Sequence, residues 1–273
     1  PLYDAYVPLV RRAGGVPVFV RLQPPDWRIT AEALAAAITP RTRALLLNNP
    51  HNPAASVCDD AQLQAVADAC IAHDLIAICD EVWEHVVFDG GAHRPLIALP
   101  GMAARTIKIG SAGKILALTG WKVGWAVAAP DLAERFARVH QFLTFTTPPG
   151  LQAAVALGLA KDVGWFAASR ARLQAARDRL VAGVEDAGFV TLPSAGSYFV
   201  AVDLPASGVA LDDVTFCERA VREAGVAAIP MSAFYDAAPE TGLVRLCFAK
   251  ETATLDEGAA RLGRFRALIG GEN

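Results

Sequence analysis

Residues 44–80 read ALLLNNPHNPAASVCDDAQLQAVADACIAHDLIAICD, and their pattern decides the fold class. Residues 44–47 and 75–79 are continuous apolar runs of strand length, the signature of strands covered on both faces. Between them, over 59–73, Leu63, Val66, Ala67, Cys70 and Ile71 recur at helical spacing, with Asp59 or Asp60 placed to cap the first turn. Strand, helix, strand in this rhythm predicts βαβ units and a largely parallel sheet.

The rhythm extends in both directions. Further strands are predicted at 16–22, 106–109 and 125–128, and Thr30 is placed to cap a helix over 31–38. Pro148-Pro149-Gly150 punctuates the chain before two more helices, the second a long one over 165–187 with Phe166, Leu173, Ala176, Leu180 and Val184 on one face. After it the pattern changes. Residues 189–192 and 197–202 are hairpin-like, followed by a helix over 212–224, short strands at 226–229 and 243–248, and a last helix from Thr254. The expected organisation is a mainly parallel α/β domain over 1–164 and a smaller α+β domain over 165–273.

Composition limits the rest. Of the 273 residues, 53% are apolar and 19% charged, which supports a large core and excludes a disordered or collagen-like chain. Twenty-five Lys and Arg against 28 Asp and Glu leave a net charge of −3, with no basic stripe of the kind a nucleic-acid footprint needs. The longest uncharged run, between Arg138 and Lys161, is broken by Thr144, Thr146, Thr147 and the Pro-Pro-Gly turn, so no membrane span is expected. Cys58, Cys70, Cys79, Cys217 and Cys247 are far apart and read as core residues in a reducing compartment, giving an expected cytoplasmic location. The five histidines show no metal-ligand spacing, so no metal is expected. The chain opens on Pro1 with no signal peptide read, which points to processing or a missing piece.

Lysine is scarce. Only Lys108, Lys114, Lys122, Lys161 and Lys250 stand among the 25 basic residues, and three of them fall within fifteen positions. An amine can lose its proton and attack a carbonyl, which a guanidinium cannot, so a chain partial to Arg has a chemical reason to keep Lys. Lys114 follows the strand at 106–109 across Gly110-Ser111-Ala112-Gly113, at the carboxyl end where ligands of open α/β sheets bind. Taken alone, it fits a surface loop equally well. Asp80 closes another apolar strand at the same edge, where a carboxylate is costly to bury without a cation, unless it simply caps a turn. Asn52 stands between Pro50 and Pro53 after a third strand, its backbone restrained by them, in a functional loop or an ordinary turn.

Together these residues resemble one family. Asn49-Pro50-His51-Asn52-Pro53, Asp80-Glu81-Val82-Trp83-Glu84 with Phe88-Asp89-Gly90, Gly110-Ser111-Ala112-Gly113-Lys114 with Thr119-Gly120-Trp121-Lys122-Val123-Gly124-Trp125, and Arg245-Leu246-Cys247-Phe248-Ala249 match class I/II aminotransferases of fold type I. The branch most resembled holds the kynurenine–oxoglutarate, glutamine and methionine aminotransferases. Residues 1–164 would then be the large cofactor-binding domain, incomplete at its N-terminus, and 165–273 the small domain.

The resemblance implies pyridoxal 5'-phosphate as cofactor, with Lys114 forming the internal aldimine and moving the substrate proton. Asp80 would pair with the pyridine nitrogen, Asn52 would donate to the ring's phenolic oxygen, and Ser111 and Lys122 would bind the phosphate. Tyr3 would stack on the ring, and Arg245, beside Asn52, would grip the substrate α-carboxylate. The substrates implied are an amino acid and a 2-oxo acid, and the full-length protein would be a homodimer.

Three departures stand out. Trp83 occupies a position that is usually Tyr; its indole N–H can donate, but from another point. Ala54-Ala55 replaces the usual Thr/Leu-Gly, which bears on the turn there. The N-terminal part that such enzymes carry before the position of Pro1 is lacking, so the 273 residues alone are expected to bind cofactor weakly, to be inactive or poorly active, and to expose a strand edge. The competing functions are a carbon–sulfur β-lyase acting on cysteine conjugates and a non-catalytic fragment of a pyridoxal-phosphate-binding protein. Gly113-Lys114 is no phosphate-binding P-loop, because Ile115 stands where Ser or Thr belongs.

Overall fold

A parallel three-strand core carries the stretch quoted above. In the computed structural model, which describes residues 1–237, 239 and 242–271, the helices in chain order are α1 (Tyr6–Arg12), α2 (Ala31–Ala37), α3 (Asp60–Ala72), α4 (Ala112–Ile115), α5 (Pro130–Leu143), α6 (Pro149–Leu159), α7 (Val163–Asp186), α8 (Asp213–Arg219) and α9 (Thr252–Gly270). The strands are β1 (Ala44–Asn48), β2 (Ile76–Asp80), β3 (Thr106–Ser111), β4 (Gly124–Ala128), β5 (Val190–Thr191), β6 (Phe199–Asp203), β7 (Ile229–Pro230) and β8 (Leu243–Cys247). Packing divides the chain into two units, both discontinuous in sequence. One comprises Arg28–Pro50 and Val57–Arg170; the other comprises Pro1–Trp27, His51–Ser56 and residues from Ala171 on.

The first unit holds a sheet of order β1-β2-β3-β4. β1, β2 and β3 are parallel, in a register that pairs Asn48 with Asp80 and Asp80 with Ile109, so three strands end at one edge. β4 returns antiparallel to β3, with Ser111 opposite Gly124. The crossover α3 is capped by Asp59, whose side chain accepts from the Gln62 N–H at 2.8 Å, an arrangement worth about 1 kcal/mol. It buries Leu63, Val66, Ala67 and Cys70 of the face its sequence period marks out, while Ile71, read on the same face, stays exposed. Thr30 caps α2 in the same way, accepting from Ala33 N at 3.2 Å.

The second unit holds an antiparallel sheet of order β5-β6-β8-β7. β6 is apolar and almost wholly buried. Phe216 stands edge-to-face against both Phe189 and Phe265, at centroid distances of 5.9 and 5.3 Å, tying α8, α9 and the approach to β5 into one core. Parallel and antiparallel sheets in separate units match the α/β and α+β expectation.

Two expectations fail locally. Residues 16–22 form no strand. Pro17 has no N–H to give a ladder, and Val16, Val18 and Phe19 are exposed. β1 and β4 are not covered on both faces either: Leu46 and Val127 are exposed.

Candidate active site

In the parallel-sheet unit, the strand ends converge on one edge. The Asp80 carbonyl accepts from Asn48 Nδ2 at 2.9 Å and from Asn49 N at 3.0 Å, tying the end of β2 to the end of β1. The half-buried Asp80 carboxylate accepts from Val82 N through Oδ1 at 3.3 Å. β3 runs straight into α4, so Ser111 closes the strand and Lys114 stands one helical turn on. Ala112 packs with Val123 and Val155, which holds that short helix down. Lys114 Nζ lies 4.6 Å from the ring centre of the buried Trp83, within cation–π range.

Two glycines make this edge possible. A Cβ on Gly110 would overlap the Trp125 indole at Nε1, and one on Gly113 would stand 2.9 Å from Thr119 Cα. The turn at 119–122 therefore presses directly on the strand–helix junction. Lys122 ends that turn with φ of 56°, a left-handed conformation costing an L-residue roughly 1 kcal/mol, and its side chain is exposed.

Beside the edge lies a buried ionic cluster that the sequence reading did not assign. Glu81, 1% exposed, accepts from Leu96 N at 3.0 Å and meets His93 Nε2 at 3.0 Å. Lys108 Nζ pairs with Glu84 at 2.6 Å and lies 4.0 Å from Glu81. Buried acids need such partners. So Lys108, singled out with Lys114 by the scarcity of lysine, is kept for charge compensation. The signal lay in the sequence: a lysine in mid-strand, opposite an acidic loop.

The antiparallel-sheet unit presents a guanidinium. Arg245 stands on β8, with Ala201 of β6 on one side and Ile229 of β7 on the other. Its Nη1 donates to Asn52 Oδ1 at 2.6 Å, and its Cζ lies 3.9 Å from the Phe199 ring centre and 4.6 Å from that of Phe234. Among the described residues no carboxylate lies within 4.0 Å of it. Burial pulls its pKa down from the ordinary guanidinium value, opposed by the charges of Cys247, Tyr198 and Asp4; a guanidinium remains a cation nonetheless. Asn52 is presented by a loop in which Ala55 takes φ of 58° and its carbonyl accepts from Ala195 N and Gly196 N at 2.9 and 3.0 Å. Alanine therefore fills the left-handed position where the family resemblance led one to expect Gly. Tyr3 is exposed and edge-on to Tyr6 at 5.5 Å.

His51, next to Asn52, is buried, and its Nδ1 has no hydrogen-bond partner among the described residues. Burial above all pushes its pKa down to about 3. The folded chain thus keeps His51 neutral while the unfolded chain protonates it near 6.5. In that window the unfolded state binds more protons, so stability falls as pH drops from about 6.5 toward 3, by up to about 1.4 kcal/mol per unit. Denaturant titrations at pH 7 and pH 5 should show a smaller loss for His51→Gln than for the parent; equal losses would contradict the assignment.

The donors of the parallel-sheet edge fit pyridoxal 5'-phosphate in kind. An amine suits an aldehyde, a carboxylate suits a ring nitrogen, and a hydroxyl with an ammonium suits a phosphate. Among the described residues no group of three or more His, Cys, Asp or Glu could hold a metal ion, and no helix is long and apolar enough to cross a membrane.

Comparison with known proteins gives the family. The family model "Aminotransferase class I and II" matches residues 1–262. A probable N-succinyldiaminopimelate aminotransferase, DapC, of Mycobacterium tuberculosis is 44% identical over 274 residues, covering 96% of this chain and 68% of the relative. The methionine aminotransferase of Escherichia coli is 38% identical over 262 residues, again covering 96% and 68%. The solved structure of N-succinyldiaminopimelate aminotransferase from Mycobacterium tuberculosis superposes with a TM-score of 0.93 at 45% identity, covering 97% of this chain and 69% of that one.

Proposed function

The chain belongs to the class I and II aminotransferases, and from that premise we propose which of its residues do the work. The family's activity is pyridoxal-phosphate-dependent transfer of an amino group between an amino acid and a 2-oxo acid. When bound, the cofactor supplies an aldehyde for the substrate amine and a ring that takes up the electron pair left at Cα.

In this reading Lys114 holds and moves the proton at substrate Cα, as only a side chain able to lose a proton can. Asp80 holds a proton on the ring nitrogen by placing an opposite charge against it. Ser111 and Lys122 bind the phosphate through a hydroxyl and a point charge. Trp83 packs against the Lys114 amine, and Tyr3 covers the ring face. Asn52 donates to the ring oxygen and orients Arg245, whose planar fork makes two parallel bonds to the substrate carboxylate. In this reading the cofactor-binding part runs over 1–164 and the smaller part over 165–273, with Pro1–Trp27 and His51–Ser56 packed in the unit that continues from Ala171. The same reading includes a homodimer, a cytoplasmic location, and amino donors with aromatic or sulfur-containing side chains, the latter in keeping with the name of the relative called methionine aminotransferase.

One observation carries the reading: an amine, a carboxylate and a hydroxyl, Lys114, Asp80 and Ser111, are delivered to one edge of a parallel sheet by adjacent strands. Borohydride reduction of the chain mixed with pyridoxal 5'-phosphate, followed by peptide mass spectrometry, tests it. Labelling is expected on Lys114 alone among the five lysines. Scattered labelling, or a label on Lys108 or Lys122, would overturn the assignment.

A further inference from the structure

We propose that Phe199 and Phe234 are positioning residues that fix the plane of the Arg245 guanidinium, and so decide which of its edges a carboxylate can meet. The proposal rests on the reading of Arg245 given above.

The sheet explains why these rings meet this side chain. Ala201 is the direct partner of Arg245 across β6 and β8, and Phe199 pairs with Cys247, two residues along each strand. Phe199 is therefore the diagonal neighbour of Arg245 on the same face, a separation that an aromatic and a long side chain readily bridge. On the other flank Ile229 of β7 pairs with Arg245, and the chain then turns through a 3₁₀ segment, Met231–Phe234, that brings Phe234 back. Both rings are themselves fixed. Phe199 and Phe234 are buried, Phe199 stands edge-on to Tyr198 at 4.6 Å, and the Phe234 carbonyl accepts from Leu2 N at 2.8 Å.

The chemistry of the contact matters more than its area. A guanidinium is weakly hydrated over its flat surface and carries all its N–H donors in its plane. A ring stacked on it stabilises the charge without consuming a donor, whereas a carboxylate partner would occupy the very fork a substrate needs. Arg245 has that arrangement: two rings at 3.9 and 4.6 Å, one N–H spent on Asn52, and no carboxylate within 4.0 Å among the described residues. The remaining donors stay available in a plane set by Phe199 and Phe234. A half-buried cation without a resident anion among the described residues is thus held ready for one brought by a ligand.

The test uses 3-phenylpropionate, a carboxylate with no amino group to react, so that binding is read by calorimetry on the pyridoxal-phosphate-loaded chain, without turnover. Phe199→Leu and Phe234→Leu keep apolar volume and remove the ring. Each is expected to weaken binding about 5- to 30-fold, while Phe199→Tyr and Phe234→Tyr bind within about twofold of the parent. A second readout separates positioning from general damage. The rate with phenethylamine, which lacks a carboxylate, should be the same in the Leu variants and the parent, while KM for phenylalanine rises. Binding by both Leu variants within twofold of the parent, or an equal loss toward phenethylamine and phenylalanine, would overturn the proposal. Arg245→Met marks the underlying reading. If it binds 3-phenylpropionate as well as the parent does, or if the parent does not bind it, the carboxylate role of Arg245 falls and the proposal with it. If Arg245→Met abolishes binding and the Leu variants do not weaken it, only the role of the rings falls.

Discussion

Replacing Lys114 by alanine is expected to lower the rate of amino-group transfer by about 10²–10⁴-fold, the range in which a positioned acid–base group contributes. The more telling variant is Lys114→Arg. Arginine keeps the positive charge and can keep the contact with the Trp83 ring, now 4.6 Å from Lys114 Nζ, but it does not release a proton near neutral pH. If Lys114 serves as a proton carrier, both variants should be equally slow. If it serves as a local charge, the Arg variant should stay within about tenfold of the parent, and that result would sink the assignment. If Lys114 is the proton carrier, small amines added to Lys114→Ala should restore part of the rate, since the cavity left by the side chain would then stand beside the reacting atom. Neither substitution should unfold the chain, because α4 is anchored by Ala112 against Val123 and Val155 and not by Lys114. Equal thermal midpoints for parent and variants check that point.

The contrast between Lys114 and Lys108 shows how far the sequence could be read. Both are rare lysines at the same strand, and scarcity marked both. Order along the chain separated them: Lys114 follows the strand across two glycines whose Cβ atoms would clash, while Lys108 lies within it, paired with Glu84. The βαβ core was legible because two strand-length apolar runs, 44–47 and 75–79, flank a clear helical period over 59–73. Residues 16–22 misled for the same reason, since an apolar run has strand composition whether or not a neighbour exists to pair with it, and Pro17 was the warning. Helix α5 went unread although Pro130 and Asp131 mark its first turn and Leu132, Phe136, Val139 and Leu143 recur at helical spacing; the apolar face was legible, and in the structure Phe136, Val139 and Leu143 stay exposed. The setting of Arg245 was beyond any local pattern. Phe199 and Phe234 reach it only through the β6–β8 register and the turn after β7, and register between distant strands is not written in either strand alone.

Asp80→Asn is the second substitution with a large expected effect, a loss of about 10- to 10³-fold in transfer rate. The figure follows from charge alone. A carboxylate against a ring nitrogen favours its protonated form by roughly 1–3 pKa units, and each unit is a factor of ten in the population able to accept the electron pair from Cα. Asparagine is the right replacement because it preserves what the structure shows Asp80 doing locally. The Asp80 Oδ1 accepts from Val82 N at 3.3 Å, and the amide oxygen of Asn can take the same bond. The strand-end ties through the Asp80 carbonyl, to Asn48 Nδ2 and Asn49 N, are main-chain and survive any side chain. Asp80→Ala, by contrast, leaves the Val82 N–H without this acceptor, so its losses would mix folding with chemistry. The expected pattern is therefore an Asn variant that melts with the parent and labels at Lys114 under borohydride, yet transfers slowly, with weakened retention of the cofactor on dialysis. An Asn variant with the parent's rate would show that Asp80 acts as a turn acceptor and nothing more, and the countercharge to the ring would have to be sought elsewhere.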